Sequence, residues 1–113
     1  MQIRHGEIYQ VDFEPSVGHE YQKKRPAVVI QSDGQLRQST LVTIMPLTSR
    51  TEKAHRDDII VEKNAHNRLF ADSVVKVHAI ASFDRRRFLK RIGKMDDAVM
   101  KQILEYLQKH FKI

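Results

Sequence analysis

Two hydrophobic periods divide this chain, and each governs its own stretch. From Gly6 to about Ser82 the apolar residues alternate with polar ones or run in short β-branched blocks; after Asp96 they return every three or four positions. Gly6 to Phe13, GEIYQVDF, sets Ile8, Val11 and Phe13 against Glu7, Gln10 and Asp12, the period of a half-buried strand. Pro26 opens a second strand, PAVVIQS, since proline is tolerated at a strand's first residue. Asp33-Gly34 signals a turn. Thr40 to Leu47 is a third strand. DDIIVE and DSVVKVHAIAS are further candidates, the latter long enough for two short strands or one bulged one. Asp84 is placed to cap a short helix, RRRFLKRI, which Gly93 stops. Asp96 or Asp97 caps a last helix running to about Phe111. Its Val99, Met100, Ile103, Leu104, Leu107 and Phe111 lie at i, i+3, i+4 spacing and give it one apolar face. About five to seven short strands followed by helix predict an α+β, mostly β fold, a small antiparallel barrel with helices packed against it. A length of 113 residues predicts one domain over residues 1–113.

Composition removes several chemistries. Cysteine is absent, which excludes disulfides, thiolate nucleophiles and most structural zinc sites. His5, His19, His55, His66, His78 and His110 form no HxH or HExxH pattern. No G-x-S-x-G elbow supports a serine hydrolase. No apolar run reaches the roughly eighteen residues a membrane helix needs. The N-terminus MQIRHGEIYQ has no apolar leader core, so a cytoplasmic location is expected. A net charge of +6 points to a polyanionic partner, nucleic acid before anionic lipid.

Charge and proton-transfer capacity concentrate in GHEYQKKRP, residues 18–26, which holds His19, Glu20, Lys23, Lys24 and Arg25. Arg25 precedes Pro26, so its backbone is pushed towards extended geometry. A guanidinium on such a restrained element presents its donors to a phosphate with little entropy loss. In PLTSR, residues 46–50, Thr48 and Ser49 follow an apolar strand; their hydroxyls either reach a ligand or bond their own backbone. Asp72-Ser73 stands at the mouth of the next strand. The run Arg85, Arg86, Arg87, Lys90, Arg91 is either a phosphate-contacting face or a solvated helix face. His110, near a helix C-terminus, interacts favourably with the helix dipole and needs no function. Tyr21 and Phe70, from their loop positions, are the candidate stacking platforms for bases.

Four blocks, GEIYQVDFEPSVGHEYQKKRPAVVIQSD at 6–33, TLVTIMPLTSR at 40–50, LFADSVVKVHAIASFDRRRF at 69–88 and IGKMDDAVMKQILEYL at 92–107, resemble the MazF/PemK family of toxin endoribonucleases. The resemblance implies a small SH3-like barrel with appended helices, assembled as a two-fold homodimer. It also implies metal-independent cleavage of single-stranded RNA, often mRNA, with no cofactor. The partner it implies is an antitoxin whose disordered C-terminal segment blocks the RNA site. The family's catalytic arginine and threonine fall on Arg25 and Thr48, and its loop histidine or glutamate on His19 and Glu20. Its conserved serine falls on Ser73. Lys23, Lys24, Ser49, Arg50, Arg85 and Arg86 would supply further RNA contacts. Where many relatives carry glutamine and arginine in the late strand, this chain has His78-Ala79-Ile80-Ala81, with His78 either the substitute polar contact or a strand histidine facing solvent. The alternative is a non-catalytic toxin of the CcdB type, which shares the fold and inhibits a protein such as DNA gyrase.

Cleavage of RNA by its own 2′-OH needs a base for that proton, a donor to stabilise charge on phosphorus, and an acid for the leaving 5′-oxygen. Arg25 and Thr48 suit the second task. His19 and Glu20 are the candidates for the base.

Overall fold

The computed structural model describes residues 2–14 and 23–113. Its strands are β1 (Glu7–Asp12), β2 (Lys24–Val29), β3 (Leu41–Thr48), β4 (Ile59–Val61), β5 (Ser73–Val75), β6 (Ala81–Asp84) and β7 (Phe88–Lys94). A short helix α1 (Asp33–Leu36) follows β2, and a long one, α2 (Asp97–Phe111), follows β7. The strands pair antiparallel in the order β4-β5-β3-β2-β1-β7, with β6 also on β3. The mostly β, antiparallel architecture expected from the sequence is therefore present. Among the described residues no ladder joins β4 to β7, so the sheet is open and is a barrel only in a loose sense. The segment after β4 meets β7 instead, where Lys94 donates its backbone N–H to the His66 carbonyl at 3.2 Å.

Successive side chains of a strand point to opposite faces, and here both faces of the central strands are covered. Ile8, Val28, Met45 and Leu47 share one core with Val61, Val75 and the α2 residues Val99, Met100, Ile103 and Tyr106. Tyr9, Val11, Val29, Val42, Ile44 and Phe88 form a second core with Ile3 and Leu36. Two-sided burial explains why Ala27-Val28-Val29 reads as a continuous apolar run.

β3 is paired along both edges. Ala27 to Val29 of β2 take one edge at Ile44 to Pro46. The other edge is shared: Leu47 and Thr48 pair with β5, Leu41 to Ile44 with β6. Between those ladders the stretch DSVVKVHAIAS gains three residues on β3, which the 3₁₀ turn Val77–Ala79 absorbs. The candidate segment thus resolves into two short strands.

The helix expected at RRRFLKRI does not form. Asp84 does act as a cap, accepting the Arg86 backbone N–H at 2.9 Å, but it caps a 3₁₀ turn at Arg85–Arg87. The chain then becomes β7, which sets Tyr9 opposite Arg91 and Gln10 opposite Lys90. Strand pairing wins because it buries Phe88 edge-on against Tyr9, ring centroids 5.9 Å apart. Gly93, expected to stop a helix, lies buried inside β7. A Cβ there would stand 2.3 Å from the Asn67 carbonyl oxygen, so only glycine admits the segment after β4.

α2 forms where expected, but its buried stripe is rotated. Tyr106 joins Val99, Met100 and Ile103 inside, while Leu104 and Phe111 are exposed. Asp96 occupies the N-cap, and its carboxylate accepts from Asn64 Nδ2 rather than from the helix. Asp33-Gly34 lies in α1, whose N-cap Ser32 accepts the Gln35 N–H. Under the second core, Glu7 accepts from Tyr9 Oη at 3.0 Å, Arg91 Nε at 2.7 Å and the Arg4 backbone at 2.8 Å. Burial first, then the hydrogen bond to Glu7 and its charge, pushes the Tyr9 phenol up to about 12. Among the described residues no helix is long and apolar enough to cross a membrane.

Overpacking a closed site costs about 1–3 kcal/mol. Gly93→Ala should lower the urea unfolding free energy by about 3 kcal/mol, because backbone rather than a flexible side chain stands in the way. A loss below 0.5 kcal/mol would show that Asn67 moves aside freely.

Candidate active site

Arg25 is the second residue of β2, half-buried, and opposite Val11 of β1. β2 emerges beside the end of β3, which brings Arg25 to the same rim as Thr48. Arg25 lines two cavities at once. The first, about 420 Å³, is walled by Gln10, Lys24, Ser49, Arg68, Leu69, Phe70, Ser73 and Lys90 among others, with four cations and no carboxylate among the described residues that line it. The second, about 580 Å³, contains Thr48, Arg50, Glu52, Lys53, Ala54, His55 and Lys76.

The hydroxyls are oriented by backbone. Thr48 is only 8 % exposed, and its Oγ1 accepts the Arg50 N–H at 3.2 Å, leaving its own proton to be donated elsewhere. Ser73 donates to the Ala71 carbonyl at 2.9 Å. Asp72 accepts the Lys63 N–H at 2.9 Å and so ties the segment after β4 to the start of β5.

Asn67 builds the loop that carries Phe70. It is fully buried; its Oδ1 accepts from Asn64 N and Leu69 N, and its Nδ2 donates to the Glu62 carbonyl. That network leaves Phe70 84 % exposed at the edge of a cationic cavity, where a base can stack. On the second cavity's floor, Lys76 Nζ meets Asp58 Oδ2 at 2.5 Å, with the Asp58 side chain fully shielded from solvent. Asp58 also accepts the His55 N–H at 2.9 Å and the Val77 N–H at 3.3 Å. Burial pushes the Asp58 carboxyl up, but the Lys76 hydrogen bond, the backbone donors and the Lys76 charge outweigh it and hold the group below the usual aspartate range.

The structure therefore brings together Arg25, Thr48, Lys24, Ser49, Arg50 and Ser73. It sets the other sequence candidates apart from them. Lys23 has a left-handed backbone and donates its N–H to Glu14 at the stem of the β1–β2 connection. Arg87 clasps the carbonyls of Asp12 and Glu14 at the same stem. Arg85 binds the carbonyls of Ser39 and Leu36 in a separate cleft with Arg4 and Arg37. Arg86 is exposed and paired with Asp84. His78 sits beside α2, its Nδ1 3.1 Å from Tyr106 Oη. His19, Glu20 and Tyr21 lie outside the described residues. Lys90, one of the basic run that the sequence offered as a phosphate-contacting face, does reach the first cavity, but from a strand rather than a helix; Gln10, Arg68 and His55 were not singled out for function by the sequence. The strand register Gln10↔Lys90 was hidden by the helical reading of RRRFLKRI, and His55 stands in a polar stretch with no motif. Among the described residues no group of three or more His, Cys, Asp or Glu is placed to hold a metal ion.

The sequence model of the PemK-like, MazF-like toxins of type II toxin-antitoxin systems matches residues 4–111. The chain is 30 % identical over 116 aligned residues to the endoribonuclease MazF9 of Mycobacterium tuberculosis, spanning 98 % of both. Its fold is similar to a crystal structure of MazF from Deinococcus radiodurans, with TM-score 0.83 at 24 % identity, over 100 % of this chain and 99 % of that one. It is also similar to a mycobacterial endoribonuclease solved with its cognate antitoxin, with TM-score 0.73 at 16 % identity, over 99 % and 95 %.

Breaking a buried ion pair costs about 3–5 kcal/mol, so Asp58→Asn should lower stability by about 3 kcal/mol at neutral pH. The folded carboxyl is held below its ordinary value of 3.8, so its contribution is full above that value and is lost as pH falls towards the lowered one. The gap between native and variant unfolding free energies should narrow between pH 5 and pH 3. An unchanged gap would remove the ion pair as its source.

Proposed function

The chain belongs to the PemK-like, MazF-like toxins of type II toxin-antitoxin systems, and from that membership we propose how it acts as a sequence-specific endoribonuclease. Its substrate is single-stranded RNA, messenger RNA above all, and cleavage halts translation and growth. The observation that carries this reading is the position of Arg25, shared by both cavities. A strand crossing the rim places one phosphate over Arg25, with nucleotides running into each side.

Lys24, Arg68 and Lys90 neutralise flanking phosphates, and Phe70 offers its ring to an unstacked base. The 2′-OH attacks phosphorus, a new P–O2′ bond forms, and the P–O5′ bond breaks. Arg25 and Thr48 donate hydrogen bonds to the non-bridging oxygens as charge builds there. His19 or Glu20 takes the 2′-OH proton. The products carry a 2′,3′-cyclic phosphate and a 5′-OH. The nucleophile is the substrate's own hydroxyl, so the scheme uses no metal and no cofactor.

The protein partner is a cognate antitoxin, as for the mycobacterial endoribonuclease of similar fold. The working unit is a cytoplasmic homodimer of single-domain protomers, whose RNA site the antitoxin's disordered C-terminal segment covers.

The test is a gel assay on a long single-stranded RNA with EDTA present. The wild type should give discrete fragments ending in 2′,3′-cyclic phosphate. Arg25→Ala and Thr48→Val should each cut at least about 10²-fold more slowly, the scale of losing one preorganised donor. A 2′-deoxy sugar at the cut site should abolish cleavage. Intact RNA with folded wild type, or cleavage of the deoxy substrate, would overturn the scheme.

A further inference from the structure

The scheme above leaves the proton for the departing 5′-oxygen without an owner. We propose that His55 supplies it, acting as the general acid of this site; the inference rests on the endoribonuclease reading.

Three observations support the assignment. His55 lines the same cavity as Arg25 and Thr48, so it borders the volume where the proposed scheme sets the reacting phosphate. Histidine is also the side chain whose charge changes nearest to neutral pH, which suits proton donation under cellular conditions.

The second observation concerns rigidity. Residues 54–56 are exposed in a short connection, and such a segment ordinarily positions nothing well. Here its far end is fixed. Asp58 is shielded, ion-paired to Lys76, and accepts the His55 N–H, while Asp58 N donates back to the His55 carbonyl at 3.1 Å. Lys76 Nζ also donates to the Lys53 carbonyl at 3.1 Å, on the other side of His55. One buried ion pair thus clamps both ends of the segment that carries the imidazole. The local geometry keeps the His55 backbone engaged while its side chain stays exposed.

The third observation is sidedness. In-line displacement sets the attacking and leaving oxygens on opposite sides of phosphorus. Arg25 on β2 has β1 on one side and β3 on the other. Glu14 follows β1 and Lys23 leads into β2, and the Lys23 N–H donates to Glu14. His55 lies on the β3 side with Thr48. Proton donation from the β3 side requires the 2′-OH to approach phosphorus from the opposite one.

Among the described residues, the charged groups around His55 come from several elements. Arg25 faces it from β2, and Arg50, Glu52 and Lys53 from the turn after β3. Lys76 faces it from the end of β5, and Arg56, Asp57 and Asp58 flank it in the chain. In the step itself the P–O5′ bond breaks and its electron pair goes to O5′. O5′ takes the proton from the protonated imidazole, which is left neutral. The proton taken from the 2′-OH balances it.

The experiment compares wild type and His55→Gln on two short RNAs across pH 5 to 9. One has the natural 5′-oxygen at the cut site; the other has a bridging sulfur, which leaves without protonation. On the natural RNA, His55→Gln should be about 10²-fold slower and should lose the limb in which the rate falls towards alkaline pH. On the sulfur RNA the two proteins should agree within about threefold, a rescue that a structural role would not give. Equal loss on both RNAs, no loss on either, or an alkaline limb kept in the variant would overturn the acid role. That result would leave the endoribonuclease reading standing. Failure of the wild type to cut either RNA would instead overturn that reading, and this inference with it.

Discussion

The double pairing of β3 organises everything that follows. A strand bonded along both edges has no freedom to slip, because a shift of one residue would turn Val42, Ile44, Met45 and Leu47 to the wrong cores. Its end at Thr48 is therefore fixed against β5, and β2 is fixed against its middle. Arg25 and Thr48 lie 23 residues apart in the chain yet share a rim because two ladders set their relative height. The three residues absorbed by Val77–Ala79 serve the same end. They let one segment leave the β3 edge beside Pro46, where Lys76 donates its N–H to the Pro46 carbonyl at 2.9 Å, and rejoin it further along. That departure carries Lys76 under the second cavity.

Lys76–Asp58 then illustrates what a buried ion pair can do. Taking both charges from water costs several kcal/mol, and their attraction repays this only with good geometry and further hydrogen bonds. Asp58 has both: a 2.5 Å partner and two backbone donors. An apolar pair of equal volume could match its stability, but it could not bind the His55 N–H or the Lys53 carbonyl. The yield of the pair is therefore position more than stability, and it falls on the segment bordering Thr48 and Arg25. Glu7 plays a parallel part on the opposite core, joining Tyr9, Arg91 and the Arg4 backbone across β1 and β7.

The legible parts of this protein were those where local chemistry and tertiary context agree. Arg25 before Pro26 pointed to a restrained guanidinium at a strand start, and β2 begins one residue earlier. The α2 spacing located a helix to within a residue of its ends. RRRFLKRI misled because its capping aspartate and basic residues are good helix signals, while the deciding force, pairing with β1 and burial of Phe88, comes from residues eighty positions away, about the separation of Val11 and Phe88. Gly93 misled for the same reason: its requirement is the approach of Asn67. Arg68 and His55 were hidden because a loop arginine and a loop histidine carry no local mark of the cavity they border. The resemblance to the toxin family located Arg25 and Thr48 through motifs, and motifs say nothing about side chains that a fold brings in from outside them.

The two cavities divide the work along chemical lines. The first combines cations, an exposed ring and apolar residues such as Leu69 and Ile92, with no carboxylate among the described residues that line it. Under the proposed scheme such a wall takes phosphates and bases. The second holds hydroxyl, imidazole and both signs of charge, the equipment for proton transfer. Arg25 belongs to both, so in the proposed scheme the phosphate over it is the point where recognition meets reaction. Changes at Phe70, Arg68 or Lys90 should therefore act on which RNA is bound, and changes beyond Thr48 on how fast it is cut. A nuclease arranged in this way can alter its sequence preference through one loop, the Asn67-braced segment at Arg68–Phe70, without disturbing the ladders that hold Arg25 and Thr48 in place.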